Sequence, residues 1–263
     1  MKIIALVENK SNGDFKSKHG LSLYIETHRH KILFDLGPDE TLFENSKKAG
    51  IDLSQVDTVV ISHGHTDHGG ALKQFLEINH VAKIYVQRRA FEKHYSKFLF
   101  IKVSVGLDPY LSGHEQIVLV DGNYKIDDEL SLFIINSSKK CYSTANDVLY
   151  TDNGKDDFLH EQNLVISEDK NVLIMGCGHA GIVNILEASV KYQPKVCIGG
   201  YHLFNPFTKK TVADGLLENI SREMNMYDIQ FYTCHCTGDY AYQYLRHRMN
   251  GIEYLSCGSV IEV

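Results

Sequence analysis

The sequence predicts an α/β fold in a single domain spanning residues 1–263, built from two halves that each back a sheet with helices. Three features carry this expectation. Strand-like and helix-like segments alternate along the whole chain. The second half repeats the strand, loop and helix theme of the first, without any close sequence repeat. With only 4 prolines and no run rich in Pro, Gly or Ser, nothing marks a linker between two domains.

Taken in order, "KIIALV" is a short apolar strand, and "LSLYIETHRHKILFDLG" is two alternating strands joined at Thr27 to His30. "DETLFENSKKAG" is an amphipathic helix closed by Gly50. "DTVVIS" is β-branched and apolar on both faces, the mark of a buried strand, and it leads directly to His63. "GGALKQFLEINH" is the helix that follows. From about residue 85 to residue 115, after the strand "KIYVQ", bases and aromatics mix with weak periodicity, which fits a surface segment or a flap over substrate. In the second half, "NLVIS" and "NVLIMGCGH" are strands, the latter ending in a loop, and "AGIVNILEASVKY" is a helix. "KVCIGGYHL" is a strand ending at a histidine, "TVADGLLENISREM" a helix, "DIQFYTCHCTG" a strand and loop, and "YAYQYLRHRM" a helix. The chain closes on strands in "IEYL" and "SVIEV".

Composition narrows the functional classes. Hydrophobic residues are 43% and charged residues 23%, as in folded globular proteins. A net charge of −6 gives no electrostatic reason to expect nucleic acid or an anionic membrane as partner. No apolar run approaches the roughly 20 residues that span a bilayer, and the apolar stretch in "MKIIALVENK" is too short for a secretory signal. A cytoplasmic location is the expectation, a homo-oligomer stays open, and the six cysteines are expected as free thiols. Cys234 and Cys236 flank His235, but no second cysteine pair stands at zinc-ribbon spacing.

"SHGHTDHGG", Ser62 to Gly70, places three histidines and an aspartate within six positions. A metal site needs several lone-pair donors converging on a point. In His63-x-His65, alternate side chains at the end of an extended strand face the same way and can share one ion. Where the loop turns into the helix, Asp67 and His68 point to the other side, so a second ion is expected there.

"HGHTDH" resembles the H-x-H-x-D-H signature of the metallo-β-lactamase fold. The resemblance spans most of the chain: "DLG" at Asp35 to Gly37 matches the aspartate segment that braces the metal loop, "GCGHAG" the third histidine motif and "CHCTG" the last. It implies a four-layer αβ/βα sandwich with the metals at one edge between the sheets. It also implies that His179 completes one site with His63 and His65, and that His235 joins Asp67 and His68 at the other. Gly176 and Gly178 are expected to leave room for the metal. Binuclear members usually carry a bridging aspartate after a strand between the last two motifs. This chain has "IGGYHLF" there instead, with His202 as a candidate ligand, proton donor or anion holder. That segment, with "KHGLSLYIET", "SHGHTDHGGAL" and "GCGHAGIVNIL", is similar to the branch containing 7,8-dihydropterin-6-methyl-4-(β-D-ribofuranosyl)-aminobenzene-5′-phosphate synthase.

The resemblance and the ligand chemistry together predict a hydrolase with zinc, as two ions, with manganese or iron as alternatives. A metal-activated hydroxide would attack a small anionic substrate, a phosphate ester or phosphodiester. Asp67 and His202 are the expected catalytic residues; His19, His202 and Asn9 are expected to bind substrate, with Lys209 and Lys210 as weaker candidates. Asp157 or Glu161 is a candidate to hold the free N–H of a ligand histidine. Phe98, Phe100 and Tyr110 are candidate pocket aromatics. Transfer between a dihydropterin diphosphate and an arylamine is the related alternative. A diiron redox enzyme would carry Glu in place of His65 and a flavodoxin domain, and a metal-free binding module would not need all six ligands.

Overall fold

The structure, a computed structural model, describes residues 1–98, 100–136 and 140–263. Among these residues the chain forms two seven-stranded sheets with the same internal plan. In the first, Lys2–Val7, Ser22–Glu26 and Lys31–Phe34 run antiparallel, and Thr58–Ile61, Lys83–Gln87 and Ile117–Val120 then add in parallel. In the second, Leu130–Phe133, Asn163–Ile166 and Val172–Ile174 run antiparallel before Val196–Gly199, Gln230–Thr233 and Ile252–Tyr254 add in parallel. Parallel neighbours require crossovers, and helices supply most of them.

Alternation along each strand separates four layers. Ile3, Ala5, Phe34 and Val60 meet Leu132, Leu164, Val172 and Ile174 in a core between the sheets. Ile4, Leu33, Val59 and Ile61 face the other way, onto Leu42, Leu72 and Phe75 of helices Thr41–Lys48 and Leu72–Ile78. Val165, Leu173 and Phe231 pack beneath Ile185, Leu217 and Leu245 of helices Ile182–Ser189, Asp214–Met224 and Asp239–Arg246. The result is the predicted αβ/βα sandwich. Because central strands such as Thr58–Ile61 and Asn163–Ile166 are buried on both faces, each sheet needs its helices as well as the other sheet.

Three local differences from the sequence expectations have physical causes. The segment "SVIEV" does not stay with the second half: Val260–Glu262 crosses to the first sheet and pairs antiparallel with Lys2–Val7, covering an edge that would otherwise be open. The metal loop does not run directly into one helix. A single turn, Thr66–Gly69, comes first, and Leu72–Ile78 starts afresh after it. Within residues 85–115, Tyr85 to Gln87 belong to the first sheet, while His94–Phe98 and Ile101–Ser104 form a hairpin that pairs with Leu149–Thr151. That segment then returns to the metal loop, where Thr66 donates its N–H to the Val105 carbonyl at 2.8 Å. Leu99, inside it, and the side chain of Phe98 lie outside the described residues. No helix of the described residues is long and apolar enough to cross a membrane.

Candidate metal centre

The strand ends on one edge of the sandwich deliver the histidines. Thr58–Ile61 runs into His63, and His65 caps the turn that carries Asp67 and His68. Val172–Ile174 leads to His179, Val196–Gly199 to His202, and Gln230–Thr233 to His235. His63, His65 and His179 offer ligand atoms within 4.8 Å of one another. Their Nε2 atoms are buried with no hydrogen-bond partner among the described residues. Leaving three polar atoms unsatisfied in one spot costs on the order of 1–3 kcal/mol each, unless a cation completes them. Burial, then the surrounding histidines, hold all three rings well below the ordinary histidine value, which keeps their lone pairs free.

A second group stands beside the first. His235 Nε2 lies 3.2 Å from Asp67 Oδ2 and 3.2 Å from His68 Nε2, and His68 Nε2 lies 3.8 Å from Asp67. Desolvation would raise the Asp67 carboxyl, but His68 and His235 hold it well below the usual carboxylate range. Desolvation would likewise lower His68, but Asp35 and Asp67 push it up to about 9. Asp67 and His68 thus each favour the charged form of the other. His19 Nε2 approaches Asp67 Oδ2 at 3.4 Å, and partial burial, then His235, lower that ring to about 4.

The rings of His63, His68, His179 and His235 are each aimed by a partner on the far nitrogen. Asp35, in the left-handed region at φ 61°, accepts His68 Nδ1–H at 2.6 Å and both the N–H and the hydroxyl of Ser62 at 2.7 Å. Ser62 Oγ in turn meets His63 Nδ1 at 2.8 Å. His179 donates Nδ1–H to Asn146 Oδ1 at 2.8 Å while Asn146 Nδ2 donates to the His179 carbonyl at 2.9 Å. His235 is gripped in the same way by Asn9, at 2.9 and 3.1 Å. Such partners fix the tautomer so that Nε2 carries the lone pair. Asp35, His202 and His235 all have positive φ, and strain of this kind persists where the surroundings force it.

Several expectations are corrected. Asn9, expected to bind substrate, has its amide committed to His235 and to the Gly20 N–H. Glu161 does not hold a histidine ring. Its carboxylate accepts the backbone N–H groups of His179 and Ala180 at 2.7 and 2.8 Å, and burial pushes it up to about 7 despite them. Asp157 forms an exposed ion pair with Arg89. Gly176 makes room for Ser62 and His63, not for a metal: a Cβ there would sit 2.2 Å from Ser62 Oγ. Lys209 and Lys210 are exposed and do not line the cavity, although Phe207 of the same hairpin does, and Phe100 and Tyr110 point into solvent.

The fold also supplies residues the sequence did not single out. Asn146 is one. Behind His65, the buried carboxylate of Asp156 accepts N–H groups from His94 at 2.9 Å and His160 at 3.2 Å, and His160 Nδ1 accepts the Gly64 N–H at 3.0 Å. His94 Nε2 meets the Arg89 carbonyl at 3.2 Å, so every ring nitrogen of this trio is occupied. These three residues together with His65 could crowd around an ion, but the mutual bonding of the three makes them a buttress for the metal loop. The signal in "DDFLHE" was one residue away from Asp157 and Glu161.

A cavity of about 350 Å³ opens onto the cluster, lined by His19, His65, Asp67, His179, His202 and His235 together with the apolar Val105, Leu149 and Phe207. Both ring nitrogens of His202 lack a partner among the described residues.

A buried histidine and aspartate cluster that could hold metal, at one edge of an αβ/βα sandwich, defines a class of metalloprotein. The chain belongs to the metallo-β-lactamase superfamily, whose family model matches residues 18–162. A solved metal-dependent hydrolase of that superfamily, Tm1679, superposes with a TM-score of 0.81 at 27% identity, covering 100% of this chain and 99% of the other. An uncharacterized protein of Methanocaldococcus jannaschii is 27% identical over 98% of both chains. From the same organism, 7,8-dihydropterin-6-methyl-4-(β-D-ribofuranosyl)-aminobenzene-5′-phosphate synthase is 28% identical, covering 100% of this chain and 96% of its own.

Proposed function

We propose that the protein is a metal-dependent hydrolase of a small anionic substrate, a phosphate ester or phosphodiester. Zinc in two ions is the proposed metal, with manganese or iron suited to the same donors. The observation that carries this reading is the convergence of the partnerless Nε2 atoms of His63, His65 and His179. These three would hold one ion; Asp67, His68 and His235 would hold the other. Bound divalent ions of this kind make a hydroxide nucleophile available at neutral pH and offset the charge that develops on the attacked group.

The chain's own groups supply the rest. Asp67, held ionised beside His68 and His235, takes up the proton of the attacking water. His202, with two uncommitted ring nitrogens on the cavity wall, donates a proton to the leaving oxygen as its bond to phosphorus breaks. His19 binds the anion as a hydrogen-bond donor. The apolar wall at Val105, Leu149 and Phe207 suits a substrate with an organic group beside its anionic one. A compact mixed cavity and a net charge of −6 favour a small molecule over nucleic acid or a membrane surface.

Metal analysis of protein purified without added metal, paired with a screen of phosphodiesters, phosphomonoesters, lactones and thioesters, tests the reading. His65→Ala should lose metal and activity together; a variant that keeps both would overturn it. Similarity to the dihydropterin synthase supports a second reading, transfer of a pterin from its diphosphate to an arylamine with loss of pyrophosphate. Incubation with a dihydropterin diphosphate and an arylamine separates the two, since only transfer yields a coupled product.

A further inference from the structure

The proposed ligand sets leave one buried group unused. Cys177 lies on the loop between Val172–Ile174 and His179 and is buried. Its Sγ stands 3.2 Å from His68 Nε2. It belongs to one donor group with His63 and His68, to another with His179 and His202, and to a third with His235 and Cys236, each closed within 4.8 Å. One sulfur is therefore within donor distance of histidines from both halves of the cluster. The rings around it include unpartnered nitrogens of His63, His179 and His202 that are all more than nine-tenths buried.

The neighbouring thiol is differently placed. Cys236 Sγ accepts the His202 N–H at 3.2 Å and sits 3.5 Å from the Cys177 carbonyl, to which its own S–H donates. It also fills the space beside the adjacent strand end, where a Cβ on Gly200 would meet it at 2.5 Å and a Cβ on Gly199 would meet the Met175 carbonyl at 2.2 Å. A side chain at Gly199 or Gly200 could not be built there without displacing these atoms, and the Cys177 sulfur stands among donors of both half-sites.

We propose that Cys177 is a metal ligand, its thiolate lying between the two half-sites and shared by their ions. This rests on the metal-dependent reading above. On metal binding the sulfur–metal bond forms and the thiol proton passes to solvent, with no change of oxidation state. Thiolate is a softer donor than the imidazoles and carboxylate around it, so the site should favour zinc or cobalt over manganese or magnesium.

Cobalt(II) substitution gives a readout independent of turnover. The wild-type protein should show both the visible d–d bands of bound cobalt and an intense near-ultraviolet thiolate-to-cobalt charge-transfer band. Cys177→Ser should keep the d–d bands and lose the charge-transfer band, and Cys236→Ser should keep both. Cys177→Asp, which restores an anionic donor without sulfur, should bind the same number of ions as wild type with no charge-transfer band. A charge-transfer band that survives Cys177→Ser, or that is lost instead in Cys236→Ser, would overturn the assignment. So would d–d bands with no charge-transfer band in the wild type, and that outcome would leave metal-dependent hydrolysis standing. A wild-type protein that takes up no cobalt would overturn both.

Discussion

The two sources of histidines in this site are held by different means. The near loop, Ser62 to Gly70, brings His63, His65, Asp67 and His68 on a single stretch, and one buried carboxylate, Asp35, aims two of its rings at once. The far histidines, His179 and His235, arrive on separate strand ends, and each has its own asparagine clamp, Asn146 or Asn9. A contiguous cluster can share an anchor, and a charged one also offsets the positive charge that the loop gathers. Dispersed ligands must each be fixed where they stand, and a neutral amide that grips ring and carbonyl together does so without adding charge.

Loss of a buried charge behind the near loop should cost most. Asp156 is held far below the usual carboxylate range, since His160 and His94 outweigh the desolvation that would raise it. Such a depressed carboxylate stabilises the fold above its unfolded value of about 4, and that stability drains away as pH falls toward the folded value. Asp156→Asn should therefore cost about 3–5 kcal/mol at pH 7 by urea unfolding, with the gap to wild type closing in acid. A gap that stays constant with pH would mean that charge is not what Asp156 contributes. Next comes Asp35→Asn, which preserves the left-handed backbone but removes the shared anchor. Metal titration should show affinity down roughly 10–100-fold, with both ions affected because His68 is held directly and His63 through Ser62. Smallest are Asn146→Ala and Asn9→Ala, each at the low end of that range, about tenfold, and each weakening one ion only. If either alanine variant weakened both ions equally, the distinction between shared and separate anchors would fail.

This contrast also explains what was legible in the sequence. His63 to His68 announce themselves because their spacing alone puts donors on one strand end. His179 and His235, more than a hundred residues downstream, are single histidines made conspicuous only by the family motifs around them. Asp35 was legible for the same reason. Asn146, Asp156 and His160 were not, because their function comes from where the chain folds back to, and no local periodicity encodes that. Asn9 was noticed, but its clamp on His235 was not: it stands just after the first strand, and nothing nearby in sequence reveals that His235 is its partner. The layers were readable because strands such as Thr58–Ile61 and Val172–Ile174 are apolar on both faces. The crossing of Val260–Glu262 to the first sheet was not, since pairing depends on which edge lies open.

That crossing sets a timetable. The first sheet gains its edge strand only when residues 260–262 have emerged from the ribosome, and the same end of the chain supplies Tyr254, whose hydroxyl donates to Glu8 at 2.7 Å. Glu8 accepts the His235 N–H, and Asn9 beside it clamps the ring, so residues 8–9 must meet residues 235 and 254 before that histidine is aimed. A half-made chain displays the near loop's histidines without their distant counterparts. Contacts between residues this far apart in sequence need long loops to close, which is slow compared with forming a local turn.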